Sequence, residues 1–97
     1  MNYRNRKLLD AARDQPCMCC GIQDGTIVAA HSNQSRHGKG MSIKAHDCFI
    51  AFLCHRCHSE LDQGSKLSKE ERIEMWQQAY DRTMLHLWQT GRLTIGG

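Results

Sequence analysis

Two Cys-x-x-Cys pairs, Cys17-Met18-Cys19-Cys20 and Cys54-His55-Arg56-Cys57, constrain this chain more than any other feature. Two residues between cysteines let a tight turn aim both sulfurs at one ion, and two such pairs complete the tetrahedron that zinc prefers. A closed site of this kind leaves no position for water or substrate, so it holds structure and does no chemistry. The chain needs such a staple. Its 97 residues, 40% hydrophobic and only 6% aromatic, make one domain with a thin core. Cys17, Cys20, Cys54 and Cys57 are therefore expected to hold a structural Zn2+. Cys19 could stand in for Cys17 or Cys20; the spacing favours the pair and leaves Cys19 and Cys48 free. Redox chemistry or simple burial is the competing reading of the cysteines.

Disulfides belong to oxidising compartments. The charged N-terminal residues Arg4, Arg6 and Lys7 are followed by no apolar signal-like segment, and no apolar run is long enough to span a bilayer. A cytoplasmic setting, in a bacterial host cell, and no membrane partner are expected. The net charge of +3 fits nucleic acid without demanding it. Its distribution is uneven, with Arg4, Arg6, Lys7, Arg13, Arg36, Lys39 and Lys44 in the first half and Asp62, Glu70, Glu71 and Glu74 later.

The pattern of elements is α+β. Residues 4–14 read as a short helix carrying Leu8, Leu9 and Ala12, ended by Pro16. Residues 26–30 and 49–53 are β-prone. Residues 31–47 form a long polar loop, and long loops inside compact domains are often functional. A short helix from Cys57 to about Gln63 follows. Ser68 with Glu71 forms a capping box for the last helix, which runs to about Thr90 with Gly91 as its C-terminal stop. Ile73, Trp76, Ala79, Tyr80, Met84, Leu87 and Trp88 recur on it at helical spacing and read as core. At about 22 residues it would be about 33 Å long.

Five of the six histidines, His31, His37, His46, His55 and His58, are concentrated between the two halves of the cysteine pattern and just beyond it. His58 directly follows Cys57, and Asp62 lies one helical turn on. An imidazole and a carboxylate at i and i+4 share a face and can hold one divalent cation. His37 and His46 read as ordinary loop residues, His55 as solvent-facing and His86 as structural.

The stretches Ala29-Ala30-His31-Ser32, Phe49-Ile50-Ala51-Phe52-Leu53-Cys54-His55-Arg56-Cys57-His58 and Glu60-Leu61-Asp62 resemble the HNH, or ββα-metal, endonuclease family. The resemblance covers residues 17–63 and is nearest to small phage and prophage nucleases associated with recombination. It implies a zinc-stapled ββα-metal domain spanning residues 1–97, extended by an N-terminal helix and by a long C-terminal helix over residues 68–90. It implies His31 as general base, His58 and Asp62 as metal ligands, and Mg2+, Mn2+ or Zn2+ as the catalytic cation. DNA would be the substrate, with recombination proteins as further partners. Cleavage would leave 5′-phosphate and 3′-hydroxyl ends. Arg36, Lys39 and Lys44 would add backbone contacts, which give affinity without sequence preference.

Two positions depart from the family pattern. Ala30 stands where many members carry another metal ligand, and Cys48 stands where the middle Asn is usual. Two clear protein ligands then remain, with water and phosphate completing the shell. His46 and Asp47 are the nearest candidates for a third; alternatively His31 is itself a ligand. The competing reading is a non-catalytic, zinc-stapled module that binds nucleic acid or protein.

Overall fold

A computed structural model describes residues 2–64 and 66–96. The element order is helix α1 (Arg6–Asp10), strand β1 (Val28–His31), a single 3-10 turn (Ser35–His37), strand β2 (Ile50–Leu53), helix α2 (His55–Gln63) and helix α3 (Lys69–Gln89). Among the described residues no helix is long and apolar enough to cross a membrane.

The two strands pair antiparallel, with Val28 opposite Leu53 and His31 opposite Ile50. All four residues of β2 are buried, so this strand forms the middle of the core. Its outer edge is not left open. The Thr83 hydroxyl accepts from the Phe52 amide at 3.0 Å and donates to the Ala79 carbonyl at 2.7 Å, while the Phe52 carbonyl accepts from the Met18 amide at 2.8 Å. An exposed strand edge invites pairing with another chain; here α3 and the first cysteine turn cover it.

Helix α3 begins as its sequence dictates. Ser68 accepts from the Glu71 amide, and the Glu71 carboxylate accepts from the Ser68 amide. Gly91, at φ +75°, follows the C-cap in a left-handed conformation that a side chain would strain. The buried face is Trp76, Ala79, Thr83 and Leu87, at successive i+3 and i+4 steps. Tyr80 stacks on Trp76 with ring centroids 5.0 Å apart. The Trp76 indole donates to the Ala30 carbonyl at 3.0 Å, joining α3 to β1. Fully burying a side chain such as Phe52 or Leu87 contributes ~1.5–3 kcal/mol, so a handful of such residues carries a core this small.

Three expectations need correction. The N-terminal helix is confined to Arg6–Asp10, capped by Asn5, and the chain then passes through turns to Asp14, whose φ of +67° is incompatible with helix. Trp88, expected in the core stripe, is half-exposed at 51%; it lies one position past Leu87, on the far side of the helix. Helix α2 starts at His55 rather than Cys57, because Cys54 serves as its N-cap and the Thr26 hydroxyl accepts from the free His55 amide.

Candidate functional site

The four paired cysteines converge. Cys17, Cys20, Cys54 and Cys57 place their sulfurs within 4.8 Å of one another, and Cys20 Sγ is 3.8 Å from Cys54 Sγ. Zn–S bonds of ~2.3 Å in a tetrahedron separate the sulfurs by about 3.8 Å, so the cluster could hold an ion such as zinc with little adjustment. The first pair sits in the turn closed by the Gly21 amide on the Cys17 carbonyl; the second spans the end of β2 and the first turn of α2. Cys19 is exposed and contributes its amide to Cys17 Sγ instead of a thiol, which removes it as a stand-in ligand. Cys48 is half-buried and outside the cluster.

The electrostatics of the cluster suit a cation. Burial opposes ionisation of Cys17, yet hydrogen bonds from the backbones of Cys20, Cys54 and Cys19 and from the Cys20 thiol bring it down to about 6. Burial pushes the Cys54 and Cys57 thiols up, as do the neighbouring cysteine side chains around Cys57. Sulfurs this close cannot all lose their protons without a positive charge between them.

A second constellation lies on the other side of α2. Cys57 and Leu61 point into the core, while His58 and Asp62, one step round the helix, face outward. His58 Nε2 is 2.9 Å from Asp62 Oδ2, and the Asn33 amide donates to Asp62 Oδ1 at 3.0 Å. Strand alternation buries Ala30 and turns Ala29 and His31 to the opposite face. His31, His58, Asp62, Lys39 and Lys44 then line one cleft of ≈ 410 Å³, with His55 and Asn33 on its rim. Arg36 stands outside this cleft, on an adjoining groove that Lys39 and Asp62 also border.

The sequence did not reveal what holds His31. Its Nε2 lies 2.8 Å from Asp47 Oδ1. Asp47 is buried at 2% and also accepts from the Asn5 amide at 2.6 Å and from Arg4 at 3.2 Å. Burial works against its charge, but the hydrogen bonds from His31 and Asn5 and the charges of His31 and Arg4 prevail and hold it below the ordinary carboxylate range. An ionised carboxylate only accepts. His31 therefore carries a proton on Nε2, which leaves Nδ1 as the basic nitrogen.

His46 and Asp47 do not converge on His58 and Asp62. His46 Nδ1 accepts from the Tyr3 amide at 2.9 Å, and its ring packs against Gly38, where a Cβ would come within 2.8 Å. Among the described residues the cysteines form the one group of three or more converging donors, so His58 and Asp62 offer a cation two protein ligands. Ala30 explains why no ligand stands before His31: at 1% exposure its side chain faces the core. His37 is buried against Phe49, hydrogen-bonded to the Ser32 hydroxyl at 2.6 Å, and its pKa is lowered by burial and by Arg36. His86 is tied to Gln15. Both are structural.

Comparison with known proteins places the chain in a family. It belongs to the family described as "Protein of unknown function (DUF968)", whose model matches residues 1–86. It is also 39% identical over 51 residues to the uncharacterized protein YdfU of Escherichia coli (strain K12). That match spans 50% of this chain and 13% of YdfU, so the chain corresponds to a small part of that relative. No solved structure matches.

Proposed function

We propose that this DUF968 member is a metal-dependent DNA endonuclease of the HNH type, with zinc in its four-cysteine cluster. The observation that carries the reading is one cleft shared by a histidine base and a metal-ligand pair: His31, oriented by Asp47 through Nε2, together with His58 and Asp62. A proton-accepting nitrogen near neutrality and a pair able to chelate a divalent cation are what phosphodiester hydrolysis requires.

His31 Nδ1 removes a proton from water as the water oxygen bonds to phosphorus. The bond from phosphorus to the 3′ oxygen breaks and that oxygen takes a proton from a solvent water, leaving a 5′-phosphate and a 3′-hydroxyl; His31 returns its proton to solvent. His58 and Asp62 would hold a divalent cation, which would supply charge stabilisation to the phosphate and the leaving oxygen. Asp47 keeps the His31 ring fixed through its hydrogen bond to Nε2. Asn33 fixes the Asp62 carboxylate. Lys39 and Lys44, on the same cleft, attract the phosphate backbone. The resemblance to phage nucleases extends the proposal to a role in recombination.

The test is incubation of the protein with plasmid and Mg2+ or Mn2+. Nicked or linear product that stops forming on addition of EDTA supports the reading. Wild-type protein that binds DNA but never converts plasmid with either metal overturns it and leaves a zinc-stapled binding module.

A further inference from the structure

The histidine cleft continues into a larger groove of ≈ 800 Å³ between residues 33–40 and the first turns of α3. Asn33, Lys39 and Asp62 border both spaces. Four cations line the groove: Arg36 and Lys39 from the loop, Lys69 and Arg72 from α3. Asp62, at the junction with the cleft, is the one acidic residue among its lining.

The groove cations differ from three in the N-terminal segment. Arg4, Arg6 and Arg13 are in ion pairs, with Asp47, Asp10 and Asp10 respectively. None of the four groove cations has a carboxylate partner among the described residues. Arg36 donates to the Gln34 side chain and Lys39 to the Gly40 carbonyl, both neutral acceptors. The nearby Glu71 is engaged in the capping box of α3. Arg72 is the most telling. Its Nε is fully buried and is the one buried side-chain nitrogen or oxygen among the described residues without a hydrogen-bond partner. Leaving a buried donor of a charged group unmet is costly, and an anion in the groove would lie beside the guanidinium that carries it. The floor is apolar, formed by Leu61, Ile73 and Trp76, which suits the sugar that follows each phosphate.

We infer that this groove carries the sugar-phosphate backbone of DNA onward from the cleft, with Lys69 and Arg72 of α3 gripping phosphates opposite Arg36 and Lys39. The identity of the polyanion rests on the nuclease reading of the adjoining cleft. Helix α3, which lies outside the HNH-like segment, thereby becomes part of the substrate surface as well as a lid on the core. The groove also sets a direction: the strand leaves the scissile phosphate past Asp62 toward the N-terminal end of α3.

The test is fluorescence anisotropy of a short labelled duplex across a salt series, with no divalent metal added so that the strand stays whole. Lys69→Gln and Arg72→Gln should each weaken binding several-fold and make the slope of log K against log salt shallower by about 0.9 for each phosphate that is no longer neutralised. Arg92→Gln, beyond the far end of α3, should change neither. Lys69 is exposed, so its variant reads the groove even where the half-buried Arg72 disturbs folding. Wild-type affinity and slope in both groove variants would overturn the inference. So would an equal loss in Arg92→Gln, or displacement of the duplex by polyglutamate as readily as by unlabelled duplex. A protein that never cuts plasmid, yet shows the expected slope changes, loses the nuclease reading and keeps the groove.

Discussion

The two faces of α2 hold two polar constellations of opposite design. On one, four cysteine sulfurs lie within 4.8 Å of one another and three of the four residues are buried. On the other, His58 and Asp62 offer two donors, both more than a third exposed, at the wall of an open cleft. A saturated, buried donor set can only hold an ion. An unsaturated, solvent-facing set leaves room for water and a phosphate oxygen, and His31 lines the same cleft. On the proposed reading the contrast separates a staple from a reactive site within one helix of nine residues, and it can be tested from both sides.

The largest effect belongs to the staple. Structural zinc contributes about 10–16 kcal/mol in small domains, comparable to or above the ~5–15 kcal/mol of net stability of a folded domain. Cys54→Ser should leave the protein insoluble or unfolded, read by circular dichroism and by loss of the one zinc per chain that metal analysis should find in the wild type. A metal-free wild-type protein that is well folded would erase the contrast.

The reactive side should respond without unfolding. His31→Ala should lower cleavage by about 10²–10⁴-fold, the range of general base catalysis, while zinc content, fold and DNA affinity stay near wild type. His58→Ala should also abolish cleavage, but through metal affinity, so raising Mg2+ or Mn2+ should restore part of its activity and none of that of His31→Ala. A metal titration of cleavage on both variants, beside calorimetry of metal binding, distinguishes base from ligand. If His31→Ala loses metal affinity as His58→Ala does, His31 is a ligand.

A smaller, two-part effect is expected at Asp47. Asp47→Asn removes the ionised acceptor that fixes the Nε2-protonated tautomer of His31, so the rate should fall and its pH profile shift, with zinc retained. The carboxylate also contributes to stability. Its folded pKa is below the ordinary value of 3.8, so its contribution is fully present above that value and is lost as pH falls through the folded pKa. Thermal melts of the wild type should therefore drop on acidification below about 3.8, and Asp47→Asn should lack that part of the loss. The smallest effect is at Asn33. Its hydrogen bond to Asp62 is exposed, so Asn33→Ala should cost about 0.5–1.5 kcal/mol of positioning, seen as a several-fold rise in the metal concentration needed for cleavage.

The features legible in the sequence were those set by short spacing. The two Cys-x-x-Cys turns, the Ser68–Glu71 capping box, the i,i+4 pair of His58 and Asp62, and the apolar periodicity of α3 all depend on residues within one or two turns, and local backbone geometry carries them directly into the structure. What failed locally was the extent of α1, where Asp14 in a left-handed turn overrode helix-compatible residues, and the side of Trp88, where a wide apolar stripe on α3 exceeded the face that β2 could cover.

Tertiary structure alone decided the rest. Asp47 meets His31 from 16 positions along the chain, because the loop folds back to where Arg4 and Asn5 can hold the carboxylate; no spacing rule links them. Ala30 is apolar because α3 lays Trp76 over it, from 46 residues away. The groove between residues 33–40 and α3 brings Lys69 and Arg72, which nothing in the sequence singled out, together with Arg36 and Lys39. Local spacing determined which side chains could share an ion, since a turn or a helix fixes those distances by itself. Which side chains share a cleft depended on how the sheet, the loop and α3 pack, since those distances are set by burial of the core and by nothing along the chain.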